Sequence, residues 1–326
     1  MSRQAGVLET TADGRPAVTL TSPDAALEAT FLPGLGMVCC SLRHDGDQLL
    51  ELRGGPAAYA ERGSSFGIPL LHPWANRLGA WDYTAGGTRV EIDPDSPAAH
   101  PDGATGLPMH GLLTASPYWT LAATSSDADA AHLRAELDFA AHPALLAGFP
   151  FPHRLELDAA VDATALTIRL TVTPTAGNAV PISFGFHPYL RLPGSDRRSW
   201  SVELPVVRRA VLDDRGIPTG VVETVQPGAL SGALAQRAFD DSFVGLGPAP
   251  DGGPIAFTVA DDRRRLSVEL VAGYDVAHVF APAGSDFVCF EPMTAPVDAL
   301  RSGAGLRWVR PGSSFSAEFA IRVTSV

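Results

Sequence analysis

Five short segments of the chain combine glycine, proline or aromatic residues with polar side chains that can bind ligands or move protons. They are GIPLLHPWANRLG (67–79), LPMHGLL (107–113), FGFHPYL (184–190), FDDSFVGL (239–246) and FVCFEPMTAP (287–296). Loops and strand ends on a rigid sheet are where binding groups concentrate. These segments therefore supply the candidate functional residues, which are Asn76, Arg77, His110, His187, Asp240, Asp241 and Glu291.

Glu291 is the most informative candidate for acid–base chemistry. It follows the apolar run at 287–290, and a carboxylate is costly to bury unless it is paired or used. Desolvation also raises its proton affinity toward neutral pH, which suits a general base. Two ordinary alternatives stay open at this point: the side chain faces solvent at a strand end, or it forms a salt bridge with Arg77.

The other candidates also have ordinary alternatives. His187 and His72 each precede a proline, so either ring can simply cap a turn. Arg77 can present a planar fork of donors to neighbouring hydroxyl groups, or it can form a surface ion pair. Asp240 and Asp241 lie between two phenylalanines, and the sequence does not decide which of them faces inward.

Short strands must position these residues. Hairpin signals occur around Asp45-Gly46 and Gly86-Gly87, and residues 153–174 alternate apolar and polar side chains over two strands. The 32 glycines and 28 prolines are spread without a period and indicate turns between many short elements. Helical signals are confined to 144–148 and 229–236.

Strands without intervening helices are not a βαβ pattern. They predict an all-β fold, a large antiparallel β-sandwich with few short helices. Because no repeat, low-complexity block or linker interrupts the chain, residues 1–326 are interpreted as one domain, with 1–6 flexible.

Composition excludes several classes of protein. The formal net charge of −12 disfavours nucleic acid and anionic membranes as partners. No apolar run approaches the roughly 20 residues of a transmembrane helix, and the N-terminal residues show no secretory signal. The three cysteines have no ligand-like spacing and are interpreted as reduced thiols of a cytoplasmic protein, a monomer or homodimer.

Taken in order, these segments resemble the aldose 1-epimerases, a family of galactose mutarotase-like sugar epimerases. The resemblance covers nearly the whole chain. It rests on ANR at 75–77, HG at 110–111, HPYL at 187–190, LDDRGIPTG at 212–220, FDDSF at 239–243 and FEPMTAP at 290–296.

The resemblance implies a galactose mutarotase-like supersandwich that interconverts the α and β anomers of a free aldohexose, such as glucose or galactose. No cofactor and no metal are implied. Glu291 corresponds to the general base and His187 to the general acid of this family. His110 corresponds to a second histidine near the sugar ring oxygen.

The sugar-binding residues are implied in the same way: Arg77 with Asn76 beside it, and Asp240. The nearby carboxylates are expected to favour a charged imidazole at His187. Four aromatic residues are candidates for the face that meets the sugar: Trp74, Trp119, Phe186 and Tyr189.

The chain also departs from the family pattern. Asp241 stands where many members have histidine, and Leu190 replaces a phenylalanine. GIPLLHP at 67–73 resembles the related hexose-6-phosphate epimerases. A phosphosugar would need cations beyond Arg77, and Arg191 is the only further one that the sequence suggests, so a neutral aldose is preferred.

Three other functions remain open from the residues alone. Asp240 and Glu291 could act as the acid and base of an inverting carbohydrate hydrolase. A metal site could use His72, His110, His187 and Glu291, although no HxH or HExxH spacing supports it. A non-catalytic sugar-binding protein could keep the same cleft.

Overall fold

The computed structural model describes residues 4–63, 65–248 and 252–326. Within them α-helix is confined to three short segments: α1 (Gly55–Arg62), α2 (Pro143–Gly148) and α3 (Ala299–Ser302). The strands are β1 (Gly6–Ala12), β2 (Arg15–Thr21), β3 (Leu27–Leu32), β4 (Val38–His44), β5 (Asp47–Gln48), β6 (Leu70–Leu71), β7 (Asp82–Ala85), β8 (Thr88–Glu91), β9 (Thr120–Ser126), β10 (Ala131–Asp138), β11 (His153–Val161), β12 (Ala165–Pro174), β13 (Val180–Ile182), β14 (Gly185–Phe186), β15 (Tyr189–Leu190), β16 (Ser201–Glu203), β17 (Val206–Leu212), β18 (Pro218–Thr224), β19 (Gly232–Ala233), β20 (Phe239–Leu246), β21 (Ile255–Ala260), β22 (Arg264–Ala272), β23 (Val276–Ala281), β24 (Val288–Met293), β25 (Arg307–Val309) and β26 (Phe315–Ser325).

Two large antiparallel sheets dominate the fold. One has nine strands in the order β19-β16-β21-β22-β26-β12-β11-β10-β9. The other has eight strands in the order β18-β17-β20-β23-β24-β14-β6, and β15 also pairs with β24. A five-stranded sheet runs in order from β1 to β5, and it contacts β9, β10 and β11 of the nine-stranded sheet.

The core lies between the two large sheets. Phe257 of β21 contacts Phe290 of β24 with ring centroids 5.8 Å apart, and Phe319 of β26 contacts Phe186 of β14 at 5.1 Å. All four rings are almost fully buried. Such facing aromatic pairs are typical of a sandwich, which confirms the antiparallel β-sandwich with few short helices.

The hairpin predictions are confirmed at β4–β5, β7–β8 and β11–β12. The helix at 144–148 is found as α2, but the helical prediction for 229–236 is wrong. Gly232 adopts φ 112° there, and the segment pairs with β16 as strand β19. Backbone pairing to a neighbouring strand thus overrides a weak helical preference.

Helix α1 was not predicted from the sequence. It has a proline in its first turn and is capped after Arg62 by Gly63, whose φ of 63° is left-handed and whose N–H donates to the Tyr59 carbonyl at 3.0 Å. Proline at the start and glycine at the end are ordinary helix signals. This helix forms one wall of the cavity described below.

The three cysteines are free and buried, as predicted. Cys39 and Cys40 pack into different hydrophobic clusters, because neighbouring residues of β4 face opposite sides of the sheet. No helix among the described residues is long and apolar enough to cross a membrane.

Candidate active site

A cavity of about 580 Å³ lies over side chains of β20, β23 and β24. That volume is in the range of small-molecule sites. Its lining residues are Arg53, Gly54, Ala58, Gly63, Ser65, Asn76, Arg77, Pro101, Asp102, Gly103, Met109, His110, His187, Tyr189, Asp240, His278, Phe280 and Glu291. All six residues assigned roles from the family resemblance therefore line one cavity.

Strand register brings Glu291 and His187 together. β14 and β15 both pair with β24 in one antiparallel register, and His187, in the connection between them, falls opposite Glu291. Nε2 of His187 lies 3.2 Å from Oε1 of Glu291. Residues opposite each other on neighbouring strands project on the same side of the sheet, so the apolar strand positions its one carboxylate against the imidazole.

Both side chains are nearly removed from solvent, with 4% of His187 and 1% of Glu291 exposed. Oε2 of Glu291 and Nδ1 of His187 have no hydrogen-bond partner among the described residues. An unsatisfied buried polar atom costs about 1–3 kcal/mol. Two such atoms at one cavity leave hydrogen-bonding capacity that a polar ligand can use.

Burial sets the protonation of this pair. It raises the pKa of Glu291 to about 8, with the positive charge of His278 opposing the rise. It also lowers the pKa of His187 well below 6.5, and His110 and His278 lower it further. The pair therefore holds one proton at neutral pH, located on Glu291. The expectation of a charged imidazole at His187 is wrong, because desolvation outweighs the nearby carboxylates.

Asp240, and not Asp241, lines the cavity. Oδ1 of Asp240 accepts a hydrogen bond of 2.8 Å from Nε2 of His278, whereas Asp241 pairs with Arg209 at 3.3 Å. Burial acts to raise the pKa of Asp240, but the hydrogen bond and charge of His278 outweigh it, and the pKa lies below its usual value. Asp240 is thus an ionised acceptor at the cavity wall.

Arg77 is held by acidic and amide oxygens. Its Nε donates to Oδ2 of Asp102 at 2.9 Å, and its Nη1 donates to Oδ1 of Asn76 at 3.3 Å. Thr105 donates to the same Asp102 oxygen at 2.7 Å. These contacts fix the plane of the guanidinium at the cavity, and the salt bridge of Arg77 is with Asp102 rather than with Glu291, which contacts His187.

Tight backbone geometry places His110. Asn76 and His110 have left-handed φ values of 56° and 61°, and the His110 N–H donates to the Asn76 carbonyl at 2.8 Å. The His110 ring meets the His187 ring edge to face, with centroids 5.4 Å apart. Burial, with the charges of Arg77 and His278, lowers the pKa of His110 to about 3, so its ring is neutral.

Gly111 is required beside His110. Its φ is 80°, and an added Cβ would lie 2.2 Å from the His72 carbonyl oxygen. We expect Gly111→Ala to lower the free energy of unfolding by at least about 1–3 kcal/mol, the usual cost of such strain, and to displace His110. Chemical denaturation tests the stability, with Gly103→Ala, where a Cβ meets nothing within 4 Å, as the control. Equal stability of the two variants would contradict this account.

Several cavity residues were not found from the sequence. His278 stands in the apolar strand VAHVFA, and a lone polar residue in such a strand was a signal that could have been used. Arg53 contacts Tyr189, its Nη1 donating to the tyrosine hydroxyl at 3.2 Å. Phe280 lies in the same strand as His278, and Asp102 lies in a stretch without any recognised pattern.

Other sequence candidates lie away from the cavity. His72 packs in the core with Nε2 2.9 Å from Nε2 of His153, so the four-residue metal hypothesis is wrong about His72. Within the part of the chain that the structure describes, no group of three or more His, Cys, Asp or Glu is arranged to hold a metal ion. Of the four aromatic candidates, Trp74, Trp119 and Phe186 are buried elsewhere and Tyr189 lines the cavity, stacked on His187 at 4.4 Å.

The fold is shared with solved structures. A galactose mutarotase-like protein from Clostridium acetobutylicum superposes with a TM-score of 0.87 at 17% identity, covering 99% of both chains. A protein from Synechocystis sp. PCC 6803 gives 0.77 at 22% identity, covering 98% of this chain and 99% of that one. Galactose 1-epimerase from Lactobacillus acidophilus NCFM gives 0.74 at 15% identity, covering 99% of both. At such identities these likenesses establish the fold, which is galactose mutarotase-like.

No curated protein matches the sequence. The family model described as aldose 1-epimerase matches residues 17–322, which is nearly all of the chain and contains every candidate residue named above. The chain belongs to the aldose 1-epimerase family.

Proposed function

We propose that this protein is a cofactor-independent isomerase, an aldose 1-epimerase that interconverts the α and β anomers of a free aldohexose such as glucose or galactose. The observation that carries the proposal is the contact of 3.2 Å between His187 Nε2 and Glu291 Oε1, buried at the wall of a cavity lined by hydroxyl-binding groups. Family membership supports the same reaction class.

The reaction needs one base and one acid at neighbouring oxygens of the sugar. Glu291 takes the proton of the C1 hydroxyl while His187 protonates the ring oxygen, and the C1–O5 bond breaks to give the open aldehyde. Rotation about C1–C2 and return of both protons close the ring as the other anomer. Both oxygens are bonded to C1, so an acid and a base in direct contact can reach them together.

The other cavity residues are assigned to sugar binding. Arg77, with Asn76 beside it, donates to sugar hydroxyls, and the ionised Asp240 accepts from them. His110 is neutral and lies beside His187, where it can hydrogen-bond near the ring oxygen. Proton transfer needs no electron carrier, and no cofactor or metal is proposed.

The reactive state has one proton on the Glu291–His187 pair, with Glu291 ionised. The free site already holds one proton, on Glu291, and the contact allows it to move to His187 when a sugar binds. Each such positioned proton transfer contributes roughly 10²–10⁴-fold.

A pH profile follows from this proton count. Loss of the shared proton, near the Glu291 pKa of about 8, removes the acid, so kcat/KM should be flat below that pH and fall above it, tenfold per pH unit. The acidic limb should lie well below pH 6.5, because burial lowers the pKa of His187. Polarimetric kcat/KM against pH, corrected for the buffer rate, is the measurement. A rate that rises continuously through pH 8 would contradict the shared proton.

The direct test of function is polarimetry on freshly dissolved α-glucose and α-galactose. We expect relaxation to the anomeric equilibrium to be faster with protein than in buffer alone. Sugar binding without acceleration would instead indicate a non-catalytic sugar-binding protein. Release of reducing sugar from a disaccharide, without mutarotation, would indicate a hydrolase.

A hexose 6-phosphate is the second candidate substrate, and Arg53 is the observation that favours it. Arg191 was the additional cation suggested by the sequence, but it pairs with Glu51 at 3.4 Å and does not line the cavity. Arg53 does line the cavity, and its side chain donates hydrogen bonds to the Ser65 carbonyl and the Tyr189 hydroxyl.

Comparing kcat/KM for glucose and glucose 6-phosphate decides between the two substrates. If the phosphosugar is preferred, Arg53→Gln should remove the preference and the control Arg191→Gln should keep it. If the free sugar is preferred, both variants should still have a higher kcat/KM for glucose than for glucose 6-phosphate.

A cytoplasmic location is part of the proposal. The three free, buried thiols fit a reducing compartment. The formal charge of −12 disfavours nucleic acid and anionic membranes as partners.

A further inference from the structure

His278 is a histidine of this cavity that neither the sequence motifs nor the proposed chemistry uses. It lies in the middle of β23 with only 1% of its surface exposed. Nε2 donates to Oδ1 of Asp240 at 2.8 Å, and Nδ1 has no hydrogen-bond partner among the described residues. A buried histidine with a carboxylate partner is a candidate for a fixed positive charge.

The strand register sets His278 against Glu291. β23 and β24 are antiparallel, and His278 is the residue directly opposite Glu291. Side chains in such positions share one face of the sheet, with Cβ atoms about 4.5–5.5 Å apart. His187 lies opposite Glu291 on the other side, so the carboxyl group stands between two imidazoles.

The charges around His278 favour its protonated form. Burial alone would lower the pKa of His278, but the hydrogen bond to Asp240, the charge of Glu291 when that side chain is ionised, and the charge of Asp240 outweigh burial and raise the pKa above 6.5. Arg77 opposes this rise. The titratable and charged groups that surround the ring and Glu291 are Arg53, Arg77, Asp102, His110, His187, Tyr189, Asp240 and Cys289.

We propose that His278 is a positioning residue of this site: held as an imidazolium by Asp240, it places a positive charge directly across the strand pair from Glu291 and stabilises the carboxylate that removes the sugar proton. The inference rests on the proposed function for its chemical meaning. The charge lies nearer to Glu291 than to His187, because Glu291 occupies the strand between them. It therefore supports the ionised base more than it opposes a protonated His187.

The same contact gives Asp240 a defined position. A carboxylate that receives a hydrogen bond from a fixed imidazolium keeps one oxygen occupied and the other available to the cavity. His278 thus links the residue assigned to sugar hydroxyls with the residue assigned to proton removal.

The charge on His278 can be measured in the wild-type protein without any substrate. Long-range ¹H–¹⁵N spectra of the histidine rings should show both nitrogens of His278 protonated at neutral pH, and a neutral ring in Asp240→Asn. The resonances are identified by their loss in His278→Gln. A neutral His278 ring in the wild-type protein at neutral pH would overturn the proposal.

The effect on Glu291 is measured by titrating the ¹³C-labelled carboxyl groups of glutamate, with Glu291→Gln to identify the signal. In the wild-type protein Glu291 should titrate near 8. In His278→Gln the midpoint should rise by about one unit or more, the usual effect of losing an opposite charge at this separation. His110→Gln is the matched control, because His110 is neutral and its removal takes no charge from the site.

The two variants separate a charge effect from a general disturbance of the cavity. A shift in His278→Gln and none in His110→Gln supports the proposal. No shift in His278→Gln, or the same shift in both variants, overturns it. Because neither measurement needs turnover, a protein that fails to mutarotate sugars would refute the proposed function and still leave the His278 charge testable.

Discussion

Glu291→Gln should reduce mutarotation of glucose and galactose to the buffer rate, a loss of at least about 10³-fold. Glutamine keeps the shape of the side chain and its contact with His187, but it cannot accept the proton of the C1 hydroxyl. The loss should appear in kcat, because the groups assigned to sugar binding stay in place. Polarimetry at saturating sugar measures it, and Glu203→Gln, an exposed residue paired with Arg265 on the nine-stranded sheet, is the control.

Stability against pH shows whether this variant is folded and whether Glu291 is the group whose pKa is raised on folding. On folding, the pKa of Glu291 rises from 4.5 to about 8, so the folded chain keeps a proton that the unfolded chain releases. Its contribution to stability is full below pH 4.5 and is lost as the pH rises through about 8. Glutamine does not titrate, so Glu291→Gln should gain stability relative to wild type between about pH 5 and 8. Near-normal mutarotation in this variant would remove Glu291 from the role of base.

His187→Asn should lower kcat by at least about 10²-fold. Asparagine retains a polar side chain beside Glu291 but cannot carry a proton to the ring oxygen. The ring is stacked on Tyr189 and 4% exposed, so some loss of stability is also expected. Unfolding curves are therefore recorded with the kinetics, and activity is compared only where the variant is folded.

The control for this variant is His132→Asn. His132 is a half-exposed histidine of β10 that contacts Asp127 outside the cavity. The His132→Asn variant should retain the wild-type rate of mutarotation. An unchanged rate in His187→Asn itself would assign His187 to side-chain packing rather than proton transfer.

The outcomes for individual elements show how far sequence patterns reach. Alternation and hairpin turns indicated β4–β5, β7–β8 and β11–β12 correctly, because those signals are local to the residues that form the elements. The segment 229–236 was misread as helical because its structure depends on β16, which lies about thirty residues away in the chain. Asp241 and Asp240 could not be separated, because only their partners, Arg209 and His278, distinguish them.

The sequence by itself determined the class of fold and the resemblance to the family, and that resemblance pointed to the six residues that were later found around one cavity. The sequence is sufficient for this because alternation and short motifs depend only on residues that are close together in the chain. Tertiary structure alone decided the electrostatics of the site. Burial of His187 lowers its pKa and makes the ring neutral, and Asp240 forms its hydrogen bond with His278. The additional cation at the cavity is Arg53 rather than Arg191. The physical reason is that a pKa and an ion pair depend on burial and distance between residues far apart in the chain, and no local pattern records either quantity.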